Sequence, residues 1–371
     1  MKYRPKHLIQ ISAYYPPHLG GQENVVYDLA QQLAKRGHHV EVLTSDQGGG
    51  KSHSLDGDVL VQRCKSFVFG HAPVMMQFPF KLLRAVREHS IVHVHIGQAF
   101  TPEIVWLLAK LRGFRYIAEL HIDFQPTGPA GFLLPLYKQY ILKRVLQSAD
   151  AVLTLNEKTL NLVRNEYERT GPTQVISNGI EERYFTLDRK AFTKKPPKTL
   201  RLVYIGRLSK QKNIIPLLHA IAGTHHKVHL DLIGDGEERE LIEQTIASLD
   251  LSNVTMHGRL PRDEVLDYYA KSDALVMPSL YEAQPLVLLE AMAARIPIIG
   301  TDVIGVAEHL DGAGIIVAPT ISGLKQGIDR YFTEYNSLPD KVKQGYERAE
   351  RLRWSNVLTD YEELYEAVAQ R

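Results

Sequence analysis

Cysteine is nearly missing from this chain: Cys64 is the only one in 371 residues. One thiol excludes an internal disulfide framework and a cysteine-built zinc site, and it fits a reducing compartment. Long apolar runs are missing as well, since no segment reaches the roughly 18 residues that mark a membrane-spanning helix. The opening MKYRPKHLIQISAYYPP has only a strand-length apolar run ahead of its prolines, so neither a signal peptide nor a spanning segment is expected, and the predicted location is cytoplasmic. Low-complexity composition is absent: 44% hydrophobic and 23% charged residues describe an ordinary folded protein.

A large net charge is lacking too, but the total of +2 conceals an imbalance. Residues 1–198 carry 26 Lys+Arg against 17 Asp+Glu, a balance of +9, and residues 199–371 carry 18 against 25, a balance of −7. A basic first half suits an anionic partner such as a phosphorylated acceptor or the inner face of a membrane; scattered solvated charge is the plainer account. Two basic apolar segments, PVMMQFPFKLLRAVREH and GFLLPLYKQYILKRVLQ, suit peripheral contact with anionic lipid, or else pack as core helices. No nucleic-acid partner is expected.

The length predicts two domains, and two domains imply a cleft. Short β-branched runs alternate with helix-length amphipathic segments, the pattern of βα units on parallel sheets. The strands expected in the first half are HLIQISA, HHVEVLTS, VLVQRC, IVHVHIG, RYIAELHI, AVLTLN and TQVISN. In the second half they are RLVYIG, KVHLDLIG, VTMHG, ALVMPS, PIIGTD and GIIVAP. A helix is predicted from Gln22 to Arg36, with Val25, Val26, Leu29 and Leu33 on one face and Gly37 as its stop. The last segment places Val357, Tyr361, Leu364 and Val368 at helical spacing. FTLDRKAFTKKPPKTL has no apolar period and reads as a linker, which puts the boundary near residues 181–199.

In open α/β sheets, ligands sit at the carboxyl ends of strands, where loops lead into helix N-termini. After the first strand, Gly20 and Gly21 let backbone amides approach an anion such as a diphosphate, or form a plain turn. His121 ends a strand between Glu119 and Asp123 and is a site candidate. His93 and His95 read as hydrogen-bonded core residues. In the second half, Gly206, Arg207 and Lys212 follow the first strand, and the two cations suit a diphosphate leaving group. Gly234, Gly236 and Gly258 occupy further strand-to-helix loops that could line a base pocket. Glu282 precedes a helix that contains Glu290 among Leu286, Leu289 and Met292, so an inward Glu290 needs a polar partner, for which ribose hydroxyls would serve. The amides from Ala283 through Gln284 and Pro285 to Leu286 are candidates for phosphate or sugar oxygens. Ser, Cys and His form no convincing nucleophilic triad, and no paired-aspartate metal signature appears, so neither a metal nor a cofactor is expected.

Taken in order, PPHLGGQENVVYDLAQQLAKRGHHVEVLT, ELHID, SADAVLTLNEKT, VISNGI, YIGRLSKQKN, LIGDGEE, HGRL and SLYEAQPLVLLEAMAARIPIIGTD resemble the family 4 glycosyltransferases across nearly the whole chain. The resemblance implies the GT-B architecture, two facing Rossmann-like doubly wound α/β domains with an interdomain cleft. An acceptor domain of residues 1–185 and a nucleotide-sugar domain of residues 186–354 are expected, with a helix of residues 355–371 crossing back to the first. It implies a retaining hexosyltransferase using a UDP- or GDP-sugar and a hydroxyl acceptor, lipid-linked or phosphorylated. By the same carry-over, Gly20 and Gly21 approach the diphosphate, Arg207 and Lys212 neutralise it, Glu290 holds the ribose, Glu282 contacts the sugar and His121 is the active-site histidine beside it. Glu181, where aspartate is common, and Gln284, where an aromatic is common, depart from the pattern and leave the sugar open. A nucleotide-sugar epimerase on the same fold and a nonenzymatic two-domain sugar-binding protein are the rival readings.

Overall fold

The computed structural model describes residues 6–18, 20–69, 72–121, 132–189 and 192–370. Asp123, one of the sequence candidates, lies outside them. The chain divides into two units, Met1–Gly179 with Ser355–Arg371, and Ile180–Trp354.

In the first unit the strands are β1 (His7–Ile11), β2 (His39–Ser45), β3 (His53–Asp56), β4 (Val59–Cys64), β5 (Ser66–Phe69), β6 (Ala72–Met75), β7 (Ile91–Ile96), β8 (Tyr116–Leu120), β9 (Ala151–Thr154) and β10 (Thr173–Val175). Eight of them form one sheet in the order β10-β9-β8-β7-β1-β2-β4-β3, parallel except where β3 meets β4. Strands β7 and β8 are buried at every position, which is why IVHVHI and YIAEL lack the polar alternation of a half-exposed strand. Every run expected to be a strand is one. Strand β3 and the separate β5-β6 hairpin lie on either side of VLVQRC, in stretches with no readable period.

The first long helix, Gly21–Lys35, buries Val25, Val26, Leu29 and Leu33 against the sheet, and Gly37, at φ +91°, ends it in the left-handed region that favours glycine. The final helix, Trp354–Ala369, buries Val357, Tyr361, Leu364 and Val368, with Tyr365 beside them. Its Glu362 bonds His38 at 3.2 Å and Arg36 at 3.3 Å, and its Glu366 pairs with Lys6 at 2.8 Å.

In the second unit, β11 (Leu200–Ile205), β12 (Val228–Ile233), β13 (Val254–Gly258), β14 (Ala274–Met277), β15 (Ile298–Thr301) and β16 (Ile315–Val317) make a six-stranded parallel sheet. The order β13-β12-β11-β14-β15-β16 has its topological switch point between β11 and β14. Leu202, Leu217 and Leu230 belong to one core cluster and Val203, Leu275 and Leu288 to another. Alternation along β11 sends its side chains to opposite faces of the sheet, so these two cores lie on opposite faces.

Two expectations change. Residues 180–185 belong to the second unit, because Ile180, Tyr184 and Phe185 are buried in its core and the Ile180 amide bonds Leu352 O at 2.8 Å. Much of the expected linker is attached there as well: Arg189 donates to the carbonyls of Arg295 and Ser272, each at 2.8 Å. The proposed lipid-facing segments also differ from continuous helices. The first is strand β6 followed by the helix Phe78–Ala85, and the second runs from Leu134 to Ser148 through a wide π turn at Lys138–Leu142. Both bury one side, through Phe78 and Leu82 and through Leu142, Val145 and Leu146, and expose apolar side chains on the other.

The strand ends of the second unit fix one glycine closely. Gly206 N donates to Ile233 O at 3.0 Å and Gly234 N to Gly258 O at 2.8 Å, lacing together the loops after β11, β12 and β13. Gly234 has φ +137°, and a Cβ there would lie 1.8 Å from Gly206 O. Relief requires backbone movement. Gly234→Ala should therefore destabilise the protein by about 1–3 kcal/mol. Equilibrium urea unfolding would measure this, and an unchanged midpoint would show that the loops can part without cost.

Candidate functional site

The site candidates of the second unit gather at its switch point. The loop after β11 carries Gly206, Arg207 and Lys212, and the loop after β14 carries Ser279 to Glu282. Three backbone-directed bonds join them: Leu280 N to Gln211 O at 2.8 Å, Gln211 Nε2 to Tyr281 O at 2.7 Å and Asn213 Nδ2 to Pro278 O at 3.0 Å. Lys212 Nζ donates to Glu282 Oε1 at 2.5 Å, and Ser279 Oγ donates to the same oxygen at 2.6 Å. Glu282 is almost fully buried and Lys212 largely so. A carboxylate in that setting needs such donors, and the pair holds a lysine charge in place at the carboxyl edge.

Arg207 differs from Lys212. Its side chain is 74% exposed and meets Glu237 at 3.3 Å on the surface, so the two cations read together in the sequence occupy unlike settings. Its carbonyl accepts a hydrogen bond from the Tyr204 hydroxyl at 2.7 Å, and burial, then Glu282, pushes that phenol well above its ordinary range. Glu181, one of the departures from the family pattern, accepts from Arg183 and from Arg262, each at 3.0 Å.

Glu290 does not depend on a ligand for its partner. Tyr269 OH donates to Glu290 Oε2 at 3.0 Å, and Tyr184 bonds it as well. Burial, then Glu290, raises both phenols, which keeps them protonated donors. These tyrosines were invisible to sequence reasoning because they lie 21 and 106 residues away from Glu290 in the chain. The run of donor amides also needs correction: Pro285 has no N–H, and it caps a helix that begins at Leu286. Gln284 is buried rather than presented at the surface. Gly258 contributes its carbonyl to the Gly234 amide, so these glycines have a packing reason of their own. An open cavity of about 450 Å³ beside the Glu282 loop is lined by Leu280, Tyr281, Asp302, Val303, Ile304 and Glu308.

In the first unit the carboxyl ends of β1, β7 and β8 bring Gly20, Gly21 and His121 into one region. Gln22 Nε2 donates to His95 O at 3.3 Å, and His121 N to Ile96 O at 3.2 Å. The turn at Gly20 already holds an anion: Glu23 is buried with its carboxylate against Gly20, and His18 lies 3.1 Å from it. Space is open above Gly21. Glu23 was not singled out from the sequence, although an acidic residue in a first helical turn is its signal.

Below His121 lies a buried polar cluster. The register sets Gln10 beside His93 and His95 beside Glu119, and alternation turns all four to one face. His93 Nε2 lies 3.0 Å from Glu119 Oε2, and His95 Nδ1 lies 2.9 Å from His121 Nε2. Tyr361 of the final helix donates to Glu119 at 3.2 Å. Burial raises the Glu119 carboxyl, but His121, His95 and hydrogen-bonded His93 outweigh it and hold the group well below the usual carboxylate range. Burial lowers His95 and His121, against the pull of Glu119, so both imidazoles are neutral near pH 7.

Residues 19–184 match the family described as Glycosyltransferase Family 4, and residues 187–348 match Glycosyl transferases group 1. An N-acetyl-alpha-D-glucosaminyl L-malate synthase of Bacillus anthracis is 26% identical, with 96% of each chain covered. The structure is similar to sucrose-phosphate synthase from Thermosynechococcus elongatus, with a TM-score of 0.80 at 21% identity over 98% of this chain and 99% of that one. It is also similar to HepE of Anabaena, solved in complex with UDP-glucose, with a TM-score of 0.74 at 17% identity over 98% and 100%. At such identities the likeness to the two structures is one of fold. The two matched families follow one another along the chain and leave out little more than its ends, and the chain belongs to the group 1 glycosyltransferases, family 4.

Proposed function

We propose that this chain transfers a hexose-type sugar, with retention of anomeric configuration, from a UDP- or GDP-sugar to a hydroxyl acceptor in glycolipid, polysaccharide or glycoconjugate biosynthesis. The observation that carries this reading is the Lys212–Glu282 pair at the switch point of the second unit, where an α/β sheet receives its ligand. The Bacillus anthracis relative is a synthase of an α-D-glucosaminyl product, and HepE was solved with UDP-glucose, which favours a nucleotide-sugar donor here.

In this reading the donor diphosphate takes Lys212 as its principal cation, with Arg207 swinging in from solvent. The bond between the anomeric carbon and the phosphate oxygen breaks as the acceptor oxygen bonds to the same face. The acceptor proton passes to the departing phosphate. Lys212 stabilises negative charge that grows as the phosphate leaves, so it favours the transition state over the bound donor. Glu282 aligns the lysine and meets sugar hydroxyls, and Glu290, already bonded to Tyr269, offers its remaining acceptor capacity to the ribose.

The acceptor falls to the first unit in this reading. Its exposed apolar side chains include Phe69, Met76, Phe80, Phe132, Leu136 and Tyr140. They flank the helix Thr101–Arg112: Phe69 packs 6.2 Å from Phe100 at its start, and Tyr137 donates to Glu103 within it. Lys65, Lys81, Arg84, Lys138 and Arg144 lie in the same segments. Apolar wedges among lysines suit the surface of an anionic bilayer, and with it a lipid-linked acceptor. None of the described helices is long and apolar enough to cross a membrane.

Lys212→Ala should lower turnover at saturating donor by on the order of 10²-fold or more, as loss of an oxyanion donor does. Mass spectrometry of nucleotide released from UDP-, GDP- and ADP-sugars provides the measurement, and equal release by both proteins would remove Lys212 from the mechanism. An altered sugar nucleotide formed without acceptor would favour an epimerase instead. For the bilayer contact, Phe80→Ser with Phe132→Ser should reduce cosedimentation with vesicles containing phosphatidylserine. Equal recovery of the parent protein with neutral and anionic vesicles would count against the surface.

A further inference from the structure

The cluster beneath His121 is a series of polar groups, joined by hydrogen bonds from His93 onward and by a close charge contact at Glu119, whose direction can be worked out from its charged end. Glu119 is wholly buried, and His93 Nε2 faces its Oε2 at 3.0 Å. A lone pair there would be repelled, so the proton of His93 belongs on Nε2. With that proton on Nε2, the other ring nitrogen, His93 Nδ1, serves as the acceptor. Tyr365 OH lies 2.9 Å from that nitrogen and donates to it. Having spent its only proton, the Tyr365 oxygen accepts from Gln10 Nε2, at 3.1 Å. That orientation turns Gln10 Oε1 towards His95 Nε2, at 2.6 Å, so His95 carries its proton on Nε2. His95 Nδ1 is then an acceptor; Glu119 Oε2 stands off at 3.4 Å, and the nearer neighbour, at 2.9 Å, is His121 Nε2, whose proton it takes. Glu119 Oε1, 3.6 Å from His121 Nε2, favours a proton at the same place.

We propose that Glu119 and Tyr365 are positioning residues for His121. Acting through His93, Gln10 and His95, they hold its proton on Nε2 and leave Nδ1 as a hydrogen-bond acceptor for a substrate hydroxyl. Among the described residues Nδ1 has no hydrogen-bond partner. The proposal rests on the reading of His121 as the histidine that meets the sugar, and it adds what that histidine offers: an acceptor, which selects a hydroxyl and rejects a group that can only accept. The neutral state of His95 and His121 is what makes the tautomer decisive, since a protonated ring would donate from both nitrogens. Because the groups lie in series in a low-dielectric interior, each bond polarises the next and one break frees the rest.

The test uses the full chain labelled with 15N-histidine, with two-bond ¹H–¹⁵N correlation spectra at pH 7.5 and His121 assigned by its loss in His121→Gln. His121 is expected as the Nε2–H tautomer. Tyr365→Phe should move it to Nδ1–H or a mixture and lower kcat by roughly 10- to 100-fold, the range seen when groups orienting a ligating histidine are lost, with little change in donor KM. Glu119→Gln presents an amide N–H to His93 Nε2 and should reverse the series, which keeps the idea testable if the phenylalanine variant does not fold. Tyr361→Phe, which removes a donor to Glu119 but lies outside the series, should leave the tautomer as it was.

An Nδ1–H His121 in the parent protein, or an unmoved tautomer in both Tyr365→Phe and Glu119→Gln, would overturn the proposal. So would a stoichiometric divalent metal in the purified protein, because the possible ligand atoms of His93, His95 and Glu119 lie within 4.8 Å of one another and a cation there would take the lone pair of His93 Nε2, where the series puts a proton. Expected spectra with undiminished turnover in His121→Gln would sink the sugar-binding role while leaving the proton series in place, so the two failures are separable.

Discussion

A carboxylate with no solvent contact is among the costliest groups a core can contain, and Glu119 sits at zero exposure in the middle of a parallel sheet. Its desolvation amounts to several kcal/mol unless the surrounding groups answer it. They do so from three directions: His93 from the neighbouring strand, Tyr361 from the final helix and His121 from the strand's own end. That requirement explains why the final helix presents tyrosines rather than leucines to this part of the sheet. An apolar helix face would cover the strands equally well and leave the charge unanswered.

Both units use the same architectural opening in different ways. Each has a parallel sheet whose order reverses beside its first strand, and each gathers polar side chains at that reversal. In the second unit the carboxylate Glu282 fixes a lysine, so the edge presents positive charge to an anion. In the first unit the carboxylate is withdrawn below the edge, and neutral imidazole stands in front of it. One edge is suited to charge and the other to hydroxyl groups.

Much of this was legible in the sequence, because strands buried on both faces leave unbroken β-branched runs and because glycines mark the loops between strand ends and helices. Residues such as Lys212, Glu282 and His121 stand at those junctions, where position alone makes them candidates. What the sequence concealed was pairing. Glu290 reads as a carboxylate awaiting a ligand until Tyr269 and Tyr184 arrive from distant parts of the chain, and Gly234 reads as a ligand contact until the carbonyl of Gly206 is found against it. The boundary was misplaced for a related reason: lysines and prolines at 194–198 resemble a linker, while the aromatic residues just before them are buried in the second core. Periodicity reports which side of an element is covered, not what covers it.

The return of the final helix to the first unit also sets an order of assembly. A protein made from its N-terminus presents Gln10, His93 and Glu119 early, whereas the hydroxyls that complete their hydrogen bonding come from residues 361 and 365. The second unit, drawn from Ile180–Trp354, has all of its strands before those hydroxyls exist. Vectorial synthesis would ordinarily favour the N-terminal unit. Here the half begun first is the half finished last, and it waits with a charged core while its neighbour is already complete.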